Sequence, residues 1–150
     1  MKIKVAATQM SCDWEIDNNI KKSISLIEKA AEQGANIVLL QELFQTPYFC
    51  IQYDEEIFKL AQPFENNTLI KKMSEVAKKY KVVLPISFFE KDNNAYFNSI
   101  AVIDSNGKVL GKYRKSHIPD GAGYLEKYYF NPGDTGFKVW NTTFGKIGIG

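Results

Sequence analysis

The chain has 150 residues, 45% hydrophobic and 13% aromatic, which suits one globular domain with a substantial core. Its 19 basic and 17 acidic residues leave a formal charge of +2, and Arg114 is the only arginine, a pattern that argues against a nucleic-acid interface. Two distant cysteines and one histidine, His117, argue against a metal or C-x-x-C redox site, and no apolar run is long enough for a secretory signal or a membrane span.

A cytoplasmic protein is therefore expected, with Cys12 and Cys50 reduced and the sequons at Asn66 and Asn141 without meaning for glycosylation. Residues 3–9, I-K-V-A-A-T-Q, predict a strand. Asp17 or Asn18 is placed to cap a helix whose apolar positions Ile20, Ile24, Ile27 and Ala31 recur at helical spacing, and Gly34 ends it. A strand at 37–40 follows at once, so the first 42 residues form a strand, helix, strand unit with parallel strands. Glu42 then lies at or just past the carboxyl end of the second strand, a place where ligands gather in open α/β sheets.

Pro47 and its aromatic neighbours mark a loop, and residues 54–62 suit a short helix. An amphipathic helix is predicted over 68–80, with Leu69, Met73, Val76 and Tyr80 on one face. Residues 82–89 read as a buried strand in which Pro85 favours an edge or bulged position. Two further strands joined through Asn106-Gly107 make a hairpin by turn chemistry. Residues 120–134 form a glycine-bounded loop, and the last stretch reads as a strand, a turn and a new strand starting at Lys146.

Three groups in this pattern bear chemistry. A carboxylate at Glu42 can serve as a general base in a partly shielded site, and an ammonium at Lys115 can stabilise an oxyanion. Local spacing leaves both open to plainer readings, since Lys112, Arg114 and Lys115 equally suit edge charges that discourage strand pairing. Glu126, set among aromatics in the 120–134 loop, reads locally as a surface carboxylate. The G-A-G at 121–123 lacks the third glycine and the following helix of a dinucleotide fingerprint.

The segments A-A-T-Q-M, N-I-V-L-L-Q-E-L-F, F-N-S-I-A-V-I-D-S-N-G-K, G-K-Y-R-K-S-H-I-P and E-K-Y-Y-F-N-P-G-D-T-G-F resemble, in order and across essentially the whole chain, the nitrilase or carbon-nitrogen hydrolase superfamily. The resemblance implies an α/β fold, the N-terminal part of a four-layer α-β-β-α sandwich. Residues 1–150 would form one carbon-nitrogen hydrolase domain, incomplete at its C-terminus. It puts the general base at Glu42, the lysine of a Glu-Lys-Cys triad at Lys115, and a supporting glutamate at Glu126.

The nucleophilic cysteine of the family follows K-I-G-I-G, so neither Cys12 nor Cys50 matches it, and the 150-residue chain alone is expected to be inactive and prone to aggregate. The stretch from Pro119 to Phe137 is most similar to the branch that hydrolyses N-carbamoylputrescine to putrescine, carbon dioxide and ammonia, with Ala122 where proline is more typical. That implies a small carbamoyl amine as substrate, no cofactor, no metal, no nucleic-acid or membrane partner, and a homo-oligomer for the full-length protein. Tyr48, Phe49, Asp120 and Tyr124 are candidates to receive the cationic end of such a substrate. Other amide or carbamoyl hydrolysis within the superfamily is the first alternative, and a non-catalytic short form with a binding or assembly role is the second.

Overall fold

The computed structural model describes residues 2–150. Strand β1 (Val5–Ala7) and strand β2 (Ile37–Leu39) pair in parallel, joined by helix α1 (Ile16–Glu32). The helix starts earlier than its sequence suggests. Glu15 is the N-cap and makes no side-chain cap bond, while Asp17 sits in the first turn, where its charge meets the positive end of the helix dipole. Asn19 is buried and ties the helix start to two loops, accepting from the Asp13 N–H at 3.1 Å and donating to the carbonyls of Asp13 and Gln45 at 2.6 and 2.9 Å. Gly34, at φ +83°, closes the other end as expected, with Gly34 and Ala35 N–H groups returning to Ala31 and Ala30 carbonyls.

After a 3-10 turn at Glu55–Leu60, capped by the Asp54 carboxylate, comes helix α2 (Thr68–Tyr80). Asn67 caps it through the Ile70 N–H at 3.1 Å, a contact of a type that contributes about 1 kcal/mol. Strands β3 (Leu84–Asp92), β4 (Ala95–Ile103) and β5 (Val109–Arg114) form an antiparallel meander. A bridge between Ile37 and Val83 extends this sheet to β2, giving the spatial order β1-β2-β3-β4-β5.

Pro85 is neither on an edge nor in a bulge: it pairs with Val102 of β4. On its other side the hydrogen bonds Val83 N to Asn36 O and Val38 N to Val83 O run only as far as the proline, which has no N–H to carry the parallel ladder further. The β4–β5 loop turns at Gly107, φ +85°, with the Asp104 N–H bonded to the Lys108 carbonyl at 2.8 Å. It is a three-residue connection with glycine in the left-handed position, one of the common hairpin forms.

Strand alternation gives the sheet two different faces. Leu84, Ile86, Ala101 and Ile103 face the helices and pack with Ile27, Met73 and Ala77 in the main core. Pro85, Ser87, Asn98, Ile100, Tyr113 and Lys115 face the other way. There a ribbon of strands β6 (Lys138–Thr142) and β7 (Gly145–Ile149) lies against the sheet through Trp140 packed with Val102 and Tyr113. The layers are helix, sheet and ribbon. Between β7 and the β1–β2 edge runs an apolar trough of about 640 Å³ along which Val5 and Leu39 remain open to solvent. No helix among the described residues is long and apolar enough to cross a membrane.

Candidate active site

Glu42 follows β2 where the chain leaves the sheet, and the next residue, Leu43, has φ +51°. A non-glycine residue in the left-handed region is strained. Here the strain is held by burial of the Leu43 side chain and by its N–H, which donates to Ser87 Oγ at 2.9 Å. The turn thereby aims Glu42 along the sheet face that carries Asn98 and Lys115.

Lys115 directly follows β5, and its backbone is clamped on both sides. Its N–H donates to the Asn98 carbonyl at 2.9 Å, and its carbonyl accepts from the Gly133 N–H at 2.8 Å. Residue 133 must be glycine: a Cβ there would lie 2.1 Å from the Arg114 carbonyl oxygen. The Lys115 ammonium reaches Glu42 Oε1 at 3.1 Å and both oxygens of Glu126 at 2.9 and 3.2 Å. Asn98 Nδ2 also donates to Glu42 Oε1.

Glu126 opens a four-residue helix, α3 (Glu126–Tyr129), inside the segment expected to be all loop. It is not a surface carboxylate. Leu125 N–H donates to the Cys50 carbonyl at 2.6 Å, the Tyr129 hydroxyl donates to the Gln52 carbonyl at 2.7 Å, and the Asp54 N–H donates to that hydroxyl at 3.0 Å. Tyr129 and Phe130 pack with Phe49 and Phe89 beneath. These anchors leave the Glu126 side chain 4% exposed, against 31% for Lys115 and 47% for Glu42. A deeply buried carboxylate needs a compensating charge, and Lys115 supplies it.

Tyr48 completes the cluster by donating its hydroxyl to Glu126 Oε1 at 2.7 Å. Burial, then that hydrogen bond, push its phenol pKa well up, so it stays a donor at any ordinary pH. Burial draws the Lys115 pKa down, but the hydrogen bond to Glu126 and the charge of Glu42 outweigh it, and the ammonium stands above the usual lysine value. Phe49 does not join them. It is buried in the aromatic cluster, stacked edge-on against Tyr129 at 5.0 Å, so its expected contact with substrate is replaced by packing. Asp120 and Tyr124 lie on the exposed stretch before α3, and the hydrogen bonds and ion pairs of the Glu42–Lys115–Glu126 group do not include them.

Neither cysteine is poised as a nucleophile. Cys50 is fully buried, and burial followed by the nearby Glu126 charge pushes its thiol up to about 12. Cys12 donates to the Phe44 carbonyl at 3.3 Å, its thiol raised by burial. The cleft in front of Glu42 and Lys115 measures about 250 Å³, and Ile149 and Gly150 line it together with them. A separate cavity of about 320 Å³, behind the loop at Leu43–Phe49, holds Asp17, Lys59 and Lys72, which are not paired with one another. Among the described residues no three His, Cys, Asp or Glu side chains converge as a metal site requires.

Asn98, Ser87 and Tyr48 as a partner of Glu126 were beyond a reading of spacing. One signal for the first was present: the polar pair Asn98-Ser99 interrupts an otherwise apolar strand.

The α/β fold carries a lysine held between two glutamates at the edge of a cleft, and residues 4–150 match the carbon-nitrogen hydrolase family, to which the chain belongs. It is 51% identical over 148 residues to the N-carbamoylputrescine amidase of Arabidopsis thaliana, covering 99% of this chain and 50% of that protein. It is 49% identical over 148 residues to the citrullinase of Francisella tularensis, covering 99% of this chain and 52% of the other. The crystal structure of a carbon-nitrogen hydrolase from Helicobacter pylori G27 superimposes with a TM-score of 0.89 at 36% identity, over 96% of this chain and 50% of that one. The chain thus spans about half the length of the curated relatives it matches.

Proposed function

We propose that the full-length protein hydrolyses a small carbamoyl amine, N-carbamoylputrescine in the first instance, with Glu42 as general base, Lys115 as oxyanion donor and Glu126 as the support of Lys115. The observation that carries this reading is the Lys115 ammonium held between Glu42 and Glu126 at the wall of a cleft. The nucleophile in this reading is a cysteine supplied by residues following Gly150, which itself lines that cleft.

In the first half-reaction Glu42 takes the thiol proton and the thiolate attacks the carbamoyl carbon. Lys115 stabilises the tetrahedral oxyanion. Its two contacts to Glu126 share one direction and the contact to Glu42 uses a second, which leaves a third N–H for the new charge. Glu42 returns the proton to the departing nitrogen, and ammonia leaves. In the second half-reaction Glu42 activates water against the S-linked thiocarbamate. The N-carboxyamine released loses carbon dioxide to give the free amine, so one water yields one amine, one carbon dioxide and one ammonia.

The test is ammonia release by the full-length protein from N-carbamoylputrescine, citrulline and an N-carbamoyl acid. The expected order puts N-carbamoylputrescine first. Fastest turnover of citrulline, the substrate in the name of the 49%-identical relative, would move the substrate to a zwitterionic ureido acid, and preference for the carbamoyl acid would move it to an anionic one. No turnover of any, with Glu42→Gln and Lys115→Ala no worse than the parent, would overturn the reading. The chain of 150 residues by itself is expected to release no ammonia.

A further inference from the structure

Glu42 Oε1 accepts two hydrogen bonds, from Asn98 Nδ2 and from Lys115 Nζ. A carboxylate oxygen has two lone pairs, so this atom is filled. No side chain or backbone donor among the described residues reaches Oε2. Asn98 is itself buried, opposite Phe89 in the sheet, and its main-chain carbonyl accepts the Lys115 N–H at 2.9 Å. One residue therefore holds the carboxylate by its side chain and the lysine by its backbone.

We propose that Asn98 is the positioning residue of the site: with Lys115 it occupies Glu42 Oε1, leaving Oε2 as the atom that takes and returns the thiol proton. It also fixes the spacing between base and oxyanion donor, because both are bonded to the same residue. This rests on the functional reading above and goes beyond it by assigning the reactive oxygen and the group that selects it. The consequence is directional. Without Asn98 the carboxylate is free to rotate, two oxygens compete for the Lys115 ammonium, and the share of complexes with a free oxygen facing the nucleophile falls.

The groups that set the charge around Glu42 are Lys115 at the end of β5, Glu126 on α3 behind it, and Tyr48 and Cys50 on the loop between. Asn98→Asp keeps the shape and the main-chain carbonyl while replacing the donor by a like charge. Asn98→Ala keeps the carbonyl and removes the side chain.

Both variants are to be made in the full-length protein, with folding checked by thermal unfolding and kcat and KM measured separately on the best substrate. Asn98→Asp is expected to lose roughly 10²–10³-fold in kcat, and Asn98→Ala roughly 10-fold to 10²-fold, each with KM within about twofold. Folded variants that keep the parent's kcat, or whose loss lies wholly in KM, would overturn the role of Asn98 while leaving the hydrolase reading intact. A parent inactive on every substrate would remove both.

Discussion

Consecutive residues of the same strands build two charged clusters on opposite faces of the sheet, and the two have opposite characters. On the helix side, Arg114 makes two bonds to Glu90 at 2.7 and 3.0 Å, one to Asp92 at 2.6 Å and two to Asp134 at 3.0 and 3.1 Å, with Phe97 under its guanidinium at 3.8 Å. Lys112 and Ser99 also bond Glu90, which is fully buried. On the cleft side, Lys115, Glu42, Glu126, Asn98 and Tyr48 form a chain that opens to solvent at Glu42. Every N–H of the Arg114 guanidinium is spent in the first cluster, whereas the second keeps one carboxylate oxygen and one N–H uncommitted. A planar guanidinium suits the closed task and a compact ammonium the open one.

The largest effect that would break this contrast is on stability. Arg114→Leu leaves Glu90 buried without its principal partner and should cost the full-length protein about 3–5 kcal/mol in urea unfolding. A loss under about 1 kcal/mol would mean the cluster is not closed. Lys115→Met should weigh more on turnover, lowering it roughly 10²–10³-fold, with a smaller change in unfolding midpoint than Arg114→Leu because Tyr48 still donates to Glu126. Equal midpoint losses for the two would erase the distinction.

Tyr48→Phe removes one donor to Glu126 and leaves Lys115 in place, so kcat should fall by roughly 5-fold to 10-fold, the order of one hydrogen bond. Loss comparable to Lys115→Met would make Tyr48 a participant in its own right. Lys59→Ala breaks an exposed ion pair with Glu56 within one helical turn, and neither midpoint nor turnover should change measurably.

Acid and alkali should separate the clusters. Burial opposes ionisation of Glu90, but hydrogen bonds from Arg114, Lys112 and Ser99 prevail and hold its carboxyl below the ordinary 4.5, and the bond from Arg114 holds Asp92 below 3.8. Stability from these groups is present above those values and is lost as pH falls through their lower folded ones. Lys115 is raised above 10.5, so its contribution is present below that pH and is lost only as pH rises through its folded value. Unfolding midpoints followed from neutral pH in both directions, with Arg114→Leu flattening the acid side and Lys115→Met the alkaline side, would check the assignment.

The sequence made the order of elements legible because period and turn chemistry are local. Helices over 16–32 and 68–80, the parallel unit and the hairpin all lie within a few residues of where Ile, Val, Gly and Asn positions put them. Glu42, Lys115 and Glu126 could be singled out through motif likeness, but their convergence is a long-range fact, since 73 positions separate Glu42 from Lys115. Glu126 looked superficial because nothing nearby in sequence announces that Cys50, Gln52 and Asp54 will hold its helix down. Arg114 looked like an edge charge. The segment Gly133–Thr135 covers that edge, and the one clue was an arginine standing alone in a lysine-rich chain.

Strand β4 places Asn98 toward the cleft and Ser99 toward Glu90, and a strand that pairs one residue out of step exchanges its faces. Such a slip would point Asn98 at the buried Glu90 and a serine too short to bridge at Glu42, disabling the site and stripping the ion cluster together. A misregistered molecule therefore loses stability along with the site. The register that builds the site is thus also the one that satisfies the buried Glu90.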